Sequence, residues 1–273
     1  MKKLMIALAL AALCLSARNA HAQGETDAQV IVSKANHAAY YQGKDARARV
    51  GMTITDAQGR TRNKLFIMLK RDDPPPEGKD ELTYDADQRF YVYFMLPPDE
   101  RKTVFMVWKH MDKDDDRWLY LPALDLVKQI ASTEKRTSFV GSNFFYEDVS
   151  GRHLNADTHE LTKTTDNYYV VRNTPKDASS VEFAHYDMWI IKENFIPRQV
   201  AYFDRKGEKY RLYTADKVET IQGYPTVTQA TIKDLRTGGQ TTITYSDVKY
   251  DVGIPESIFT ERYLRIPPSE YLK

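Results

Sequence analysis

The chain has 273 residues, with 39 Lys and Arg against 38 Asp and Glu, so its formal net charge at pH 7 is +1. This balance lacks the basic excess typical of nucleic-acid-binding proteins, and it argues against a purely electrostatic attachment to membranes. The only cysteine is Cys14, close to the N-terminus, so the rest of the sequence offers neither a disulfide nor thiol chemistry.

The first 22 residues have the pattern of a secretory signal peptide. A positive start and an apolar run, "KKLMIALALAALCL", precede "AHA", which has small residues where a signal peptidase reads. We predict cleavage after Ala22, a periplasmic location and a single domain over residues 23–273. The alternative is a lipoprotein signal lipidated on Cys14, which is disfavoured because Leu13 stands where a small residue is needed. The apolar run is too short to span a bilayer permanently.

One amphipathic helix is predicted near the start of the exported chain. Thr26 or Asp27 can cap its N-terminus, and Gly43 can end it. Its apolar side chains recur at helical spacing and need a surface to cover. We therefore expect a lid helix from Asp27 to Gln42, whose candidate lid residues are Ile31, Ala35 and Ala38.

The rest of the sequence predicts strands joined by tight turns. "ARARVGMTIT" and "TRNKLFIMLK" flank a turn at Gly59, and the prolines of "DPPPEGKDE" indicate a loop. Further strands are predicted in "RFYVYFML", "KTVFMVWKH", "RWLYLPAL", "DNYYVVRN", "AHYDMWIIKE", "PRQVAYFD", "EKYRLYTADKVE", "PTVTQATIKDL" and "QTTITYSDVKY". "IPESIFTER" indicates one short helical turn that begins at Pro255. Closely spaced sequential strands favour an antiparallel meander.

The central strands are apolar on both faces. Phe90, Val92 and Phe94 point one way, while Tyr91 and Tyr93 point the other. Because an antiparallel sheet normally leaves one face polar, either both faces are covered or one lines an apolar cavity. Few helices are predicted, so we expect a mainly β fold, a curved antiparallel sheet forming an incomplete β-barrel with a few helices closing its open side. The candidates for lining the cavity or docking a partner are Phe94, Met106, Trp108, Trp118, Tyr120, Phe139, Phe144, Phe145 and Tyr146.

The polar motifs do not form a recognisable catalytic or metal site. His153, Asp157 and His159 would share a strand face but lack the wider ligand pattern of a zinc site. "DKDDDRW" fails the spacing of a calcium loop, and no G-x-S-x-G motif is present. Glu147 and Asp148 are adjacent carboxylates without a defined acid–base separation. We expect no catalytic residue, no metal and no cofactor.

The segment "GSNFFYED" contains three consecutive aromatic rings, which cannot all face one core. Its Gly and Ser allow a sharp corner, and the acids Glu147 and Asp148 can accept hydrogen bonds from backbone donors there. We expect one or two of Phe144, Phe145 and Tyr146 to pack inward, and the third to face the cavity mouth or a partner. The segment is also a second candidate lid.

Several segments together resemble the outer-membrane lipoprotein-sorting protein family. The resemblance rests on "FMLPPDERKTVFMVW", "DDDRWLYLPALDLVKQIAS", "KRTSFVGSNFFYEDV" and the closing "YSDVKYDVGIPESIFTERYL". Asn143 departs from it where an Asp is usual, as does Phe145 where a small polar residue is common. The resemblance implies a LolA/LolB-like incomplete β-barrel with helices over an apolar cavity. It also implies an association with resistance–nodulation–division (RND) transporters of the inner membrane.

Three functions are compatible with the sequence. The first is a periplasmic carrier or acceptor of lipid or lipid-modified protein, active in outer-membrane trafficking and in transient contact with membranes. The second is a non-enzymatic accessory module that docks on an RND-type transporter through exposed rings such as Phe144 and Phe145. The third, a hydrolase, has no visible nucleophile–base pair in its favour. A monomer that binds acyl chains is the leading expectation.

Overall fold

The computed structural model describes residues 25–75, 77–78, 80 and 82–273. The predicted signal peptide lies outside these residues. Thirteen antiparallel strands form one sheet: β1 (Asp45–Thr55), β2 (Thr61–Asp72), β3 (Gln88–Leu96), β4 (Val104–Lys109), β5 (Asp116–Leu121), β6 (Leu126–Gln129), β7 (Asp157–Thr164), β8 (Tyr168–Pro175), β9 (His185–Ile191), β10 (Pro197–Phe203), β11 (Lys209–Ile221), β12 (Tyr224–Asp234) and β13 (Gln240–Tyr250).

The sheet is a meander whose first and last strands meet in the middle. β1 pairs with both β2 and β13, and the strand order is β6-β5-β4-β3-β2-β1-β13-β12-β11-β10-β9-β8-β7. The two edges are therefore β6 and β7, which are consecutive in the chain and do not pair. The sheet is not closed into a barrel, as predicted, and the connection between its edges, residues 130–156, has to cross the open side.

Three short helices accompany the sheet: α1 (Ala28–Tyr40), α2 (Tyr146–Ser150) and α3 (Glu261–Arg265). Asp27 caps α1, since its Oδ1 accepts hydrogen bonds from the backbone N–H groups of Gln29 (2.8 Å) and Val30 (3.4 Å). The helix ends two residues earlier than predicted, and Gly43 follows with φ +67°. In the described part of the chain, no helix combines the length and apolarity needed to cross a membrane.

The C-terminal segment, residues 251–273, explains why the central strands are apolar on both faces. Its side chains Ile254, Ile258, Phe259 and Leu264 are buried against one face of β2–β5. Trp108 Nε1 donates a 2.8 Å hydrogen bond to the carbonyl of Phe259. The predicted helical turn is present at Glu256–Ile258, directly after Pro255 rather than starting at it. One sheet face is thus covered by this segment, and the other faces the interior.

Candidate functional site: an apolar cavity beneath the first helix

The interior face of the sheet encloses a cavity of about 360 Å³ that is lined mainly by apolar side chains. One wall comes from β1–β3 and the other from β9–β13, while α1 lies across the top. Characteristic apolar members of the lining are Val32, Ala35, Ala38, Ala48, Val50, Met52, Phe66, Met68, Val92, Val200, Val227, Ile232 and Ile243. A volume of this size falls within the range of roughly 300–1,000 Å³ that is common for small-molecule pockets.

Helix α1 is held in two different ways along its length. Its N-terminal half packs on the sheet, where Ile31 and Val32 are buried with Val171 and Ile190. The C-terminal half contributes Ala38, Ala39 and Tyr40 to the cavity lining. The packed half fixes the helix on the sheet, and the other half roofs the cavity.

A buried lysine fastens the C-terminal end of α1. Lys70 Nζ donates hydrogen bonds to the carbonyl oxygens of Tyr40 (2.9 Å), Gln42 (3.1 Å) and Gly43 (3.3 Å), and to Asp72 Oδ2 at 2.7 Å. A cation suits this position because the last carbonyls of a helix carry partial negative charge. Burial lowers the pKa of Lys70, although the neighbouring Asp72 carboxylate opposes that shift.

The segment between β6 and β7 closes the open side of the sheet with two of its three consecutive rings. Phe144 and Tyr146 are buried, and Phe139 packs edge-on against Tyr146 with ring centres 5.7 Å apart. Phe105 of β4 lies 5.2 Å from both Phe139 and Tyr146. These contacts confirm the inward packing of two rings, and they identify Phe145 as the third.

Phe145 is half-buried and lies between two arginines. Its ring centre is 5.0 Å from the guanidinium carbon of Arg136 and 4.1 Å from that of Arg211. Asp148 accepts a 2.6 Å hydrogen bond from the Phe145 backbone N–H and also pairs with Arg211. Asp148 therefore accepts a hydrogen bond from a backbone N–H group, as expected, and its pairing with Arg211 also links α2 to β11.

Glu147 is the second acid of the corner and is paired with cations. Its carboxylate accepts hydrogen bonds from Arg136 Nη1 (2.6 Å) and Arg152 Nη1 (3.4 Å). Burial alone would raise its pKa, but the neighbouring arginines outweigh burial and hold the pKa below its usual value. Arg136 also donates two hydrogen bonds to Glu182, from Nε (2.7 Å) and from Nη2 (2.6 Å). The result is a paired charge network that links the closing segment to β8–β11.

The predicted cavity and lid candidates divide into four groups. Phe139 and Phe144 line the cavity, as do Ala35 and Ala38 of the predicted lid. Phe94 and Tyr146 belong to the apolar core on the cavity side of the sheet but do not line the space, and Ile31 packs on β8 and β9 instead. Phe145 is half-buried between its two arginines.

Four of the candidates are on the wrong face for a cavity role. Met106, Trp108, Trp118 and Tyr120 pack beneath the C-terminal segment with Phe259 and Leu264. The reason is the alternation of strands β4 and β5, which sends these side chains away from Phe105 and Leu119 on the cavity face. The sequence could not tell the two faces apart because both are apolar.

The polar motifs are occupied by structural contacts. His153 Nε2 lies 2.8 Å from Asp115 Oδ1, while His159 contacts Asn173 Oδ1 (2.7 Å) and the Leu154 carbonyl (3.0 Å). Asp157 binds Arg152 and accepts a 2.8 Å hydrogen bond from the Tyr186 hydroxyl. Within the described ranges, no three His, Cys, Asp or Glu residues are placed to hold a metal ion.

The sequence interpretation missed most of the cavity wall. It drew its cavity candidates from one third of the chain, whereas β9–β13 supply about two fifths of the lining, including Tyr202, Tyr213 and Tyr245. The sequence pattern there is weak: Tyr202 shares a strand face with Val200, and Tyr213 shares one with Arg211, while the residues between them are also partly apolar. The inward direction of these side chains became clear only because these strands lie opposite β1–β3 across the cavity.

An unclosed antiparallel sheet with an apolar cavity roofed by a helix defines the LolA-like class of folds. Three solved structures share it. A DUF1329 family protein from Desulfovibrio piger is 25% identical, with 86% of this chain and 96% of that chain covered and a TM-score of 0.74. A Vibrio parahaemolyticus domain described as an outer-membrane lipoprotein-sorting protein is 25% identical, with 87% and 98% covered and a TM-score of 0.75. A LolA superfamily protein from Nitrosomonas europaea is 19% identical, with 88% and 100% covered and a TM-score of 0.65, and shows the fold alone.

A family model with the description "Uncharacterized protein" matches residues 86–266, well over half of the chain, and the chain belongs to that family. No curated protein matches the sequence. The family and its structural neighbours confirm the resemblance and the fold class that the sequence predicted.

Proposed function

We propose that this protein is a periplasmic carrier or acceptor of lipid or lipid-modified protein that holds acyl chains in the cavity beneath α1. The observation that carries the proposal is the partly open, mainly apolar cavity between β1–β3 and β9–β13. Each methylene removed from water contributes about 0.8 kcal/mol, so a single acyl chain can bind without any covalent chemistry. The proposal requires no catalytic step.

The roof of the cavity supplies a route for entry. The C-terminal half of α1 meets the cavity through small side chains, chiefly Ala35, Ala38 and Ala39. Small side chains leave room beneath a helix and give little apolar contact to hold it down. We infer that this half of α1, together with the segment Gly141–Asp148, moves when a chain enters or leaves.

The alternative of a docking module depends on exposed rings at Phe144 and Phe145. Phe144 is 8% exposed, whereas Phe145 is half-buried between Arg136 and Arg211. The apolar surface that these two rings offer to a partner is therefore small. Association with an RND-type transporter, transient contact with a membrane and a monomeric state stay predictions.

The test uses protein purified without detergent and freed of bound lipid by solvent extraction. Uptake of the neutral apolar dye N-phenylnaphthylamine is measured by its fluorescence, and native mass spectrometry of the unextracted protein identifies bound molecules. We expect saturable dye uptake, reduced at least fivefold by Ala38→Trp, which fills the cavity from α1. Gln29→Trp, on the exposed side of the same helix, is the matched control. Purified protein that contains no bound lipid and takes up no dye would contradict the proposal.

A further inference from the structure

Six tyrosines line the cavity, and half of them have no hydrogen-bond partner within the described chain. Tyr186 donates to Asp157, Tyr250 pairs with Thr226 at 2.9 Å, and Tyr40 lies 3.5 Å from the carbonyl of Asp148. The remaining three hydroxyls make no hydrogen bond to any described residue; they belong to Tyr202, Tyr213 and Tyr245. Tyr202, Tyr213 and Tyr245 are half-buried and line the cavity, so a molecule held there can reach their hydroxyl groups. Polar groups that converge in an otherwise apolar pocket are the ones that orient a ligand.

The three tyrosines line the same cavity as Tyr40, the last residue of α1. Tyr202 and Tyr213 lie on the adjacent strands β10 and β11, where Tyr202 pairs with Arg211 and Val200 pairs with Tyr213. Tyr245 lies on β13. Burial raises the pKa of Tyr40, and the ionised forms of Tyr213, Tyr202 and Tyr245 would each raise it further, so all three are within electrostatic reach of the Tyr40 hydroxyl.

These groups are neutral donors at any physiological pH. Burial raises the pKa of both Tyr202 and Tyr245 to about 12, and it raises that of Tyr213 as well. A phenol that keeps its proton donates its O–H to an acceptor oxygen. The group that completes the site is therefore a hydrogen-bond acceptor inside an apolar molecule.

The charged residues of the lining are already paired. Lys70 binds Asp72 and three carbonyls, Arg152 binds Asp157 at 2.9 Å, and Arg211 pairs with Asp148. These account for all charged residues among the described lining residues. A carboxylate or phosphate entering the cavity would lose its hydration without gaining an unpaired cation, which is costly in an apolar site. The lining thus disfavours an anion.

We propose that Tyr202, Tyr213 and Tyr245 are the donors from which the neutral carbonyl oxygen of an ester- or amide-linked acyl chain accepts one or two hydrogen bonds, so that the cavity selects neutral acyl esters and amides over free fatty acids. This inference rests on the proposed function and adds the chemical class of its ligand. The apolar wall holds the chain, and the hydroxyls fix the position of the linkage. The polar remainder of a larger molecule would then extend from the cavity.

The experiment compares three ligands of similar chain length, namely methyl laurate, laurate and dodecane, by displacement of N-phenylnaphthylamine at pH 7.4. In the wild-type protein we expect methyl laurate to bind at least tenfold more tightly than laurate. In the variant Tyr202→Phe/Tyr213→Phe/Tyr245→Phe we expect methyl laurate to lose roughly tenfold in affinity, the value of one to two hydrogen bonds, while dodecane is unchanged. Tyr168→Phe, on β8 outside the cavity, is the control.

The outcomes separate this inference from the function beneath it. If dodecane and the dye bind but the triple variant leaves methyl laurate unaffected, the tyrosine site is refuted and the carrier stands. Laurate binding as tightly as its ester would overturn the preference for neutral ligands. If none of the ligands binds, both proposals fail. Should the triple variant unfold, as judged by circular dichroism, Tyr245→Phe alone is measured with the same three ligands and a proportionate loss is expected.

Discussion

The guanidinium carbon of Arg211 lies 4.1 Å from the ring centre of Phe145, and the same guanidinium pairs with Asp148. Arg211 belongs to β11, whereas Phe145 and Asp148 belong to the segment that crosses the open side of the sheet. One side chain therefore fixes that segment to the far wall of the cavity. Because Arg211 is 3% exposed, its charge is compensated by Asp148 in a poorly solvated environment.

Replacing Arg211 should destabilise the fold more than replacing a surface arginine. In Arg211→Met the partly buried Asp148 loses its cation, and we expect the free energy of unfolding to fall by about 2–4 kcal/mol. Urea denaturation followed by fluorescence measures the change. Arg172→Met is the matched control, since Arg172 pairs with Asp187 but its side chain is 42% exposed, and a loss of about 0–1 kcal/mol is expected. Equal losses in the two variants would contradict the role of Arg211.

Acid should weaken the charge network around Arg136. Burial alone would raise the pKa of Glu182, but the hydrogen bond and charge of Arg136 outweigh it and hold the pKa at about 2 instead of 4.5. A carboxyl with a depressed pKa in the folded state contributes stability that is complete above pH 4.5 and is lost as the pH falls towards 2. We expect Glu182→Gln to flatten this part of the stability profile, measured by urea denaturation between pH 5 and 3.

The control for Glu182→Gln is Glu193→Gln, since Glu193 is exposed in the turn between β9 and β10. Glu193→Gln should keep the wild-type dependence of the free energy of unfolding on pH. If Glu182→Gln keeps that dependence too, the ion pair with Arg136 makes no contribution to the acid sensitivity of the protein.

Raising the pH above 8 should increase the free energy of unfolding, because the buried Lys109 then loses its charge. Burial lowers the pKa of Lys109 to about 8, although nearby carboxylates oppose the shift. Its Nζ donates to the Ser150 carbonyl at 2.9 Å and faces the ring of Tyr40. Because the unfolded chain binds this proton more tightly, stability should rise with pH above 8, by at most about 1.4 kcal/mol per pH unit.

The measurement for Lys109 is urea denaturation at several values from pH 7.5 to 9.5. Lys109→Met should lack the rise that the wild-type protein shows, whereas Lys113→Met, at a side chain that is 59% exposed, should retain it. A rise of equal size in Lys109→Met would assign the effect to another group.

Gly151 is required by a close approach between α2 and α1. It has φ +78°, and a Cβ at this position would lie 2.7 Å from the ring of Tyr40. We expect Gly151→Ala to lower the free energy of unfolding by about 2–4 kcal/mol, the sum of backbone strain and overlap with the ring. Gly141→Ala is a close control, because Gly141 has φ +80° and its Cβ would meet nothing within 4 Å.

Both variants place a side chain at a positive φ, and Gly151→Ala in addition brings its Cβ against the ring of Tyr40. Gly151 also has ψ 154°, in a region that is essentially restricted to glycine, so backbone strain contributes to its larger loss. Thermal unfolding gives the comparison directly. If both variants lose the same stability, neither the ring contact nor the backbone angle of Gly151 adds a cost.

The segment "GSNFFYED" shows how far sequence reasoning reached in this protein. The pattern required that its three rings diverge and that an acid accept a backbone N–H, and both are found at Phe144, Tyr146 and Asp148. The pattern could not predict that Phe145 contacts Arg211, because Arg211 is 66 positions further along the chain. Contacts at such separations follow from strand order, which local patterns do not contain.

The sequence by itself determined the elements: a first helix capped by Thr26 or Asp27, the strands with glycine turns, and central strands that are apolar on both faces. Only the tertiary structure decided which face holds the cavity. That choice depends on the pairing of β1 with β13 and on the carboxylate of Asp45, which accepts the backbone N–H groups of Val252, Gly253 and Ile254. These contacts lay the C-terminal segment over Met106 and Trp108 and leave Val50 and Tyr245 facing the interior. Hydrophobicity fixes that a side chain is buried, whereas the pairing of distant strands fixes what it is buried against.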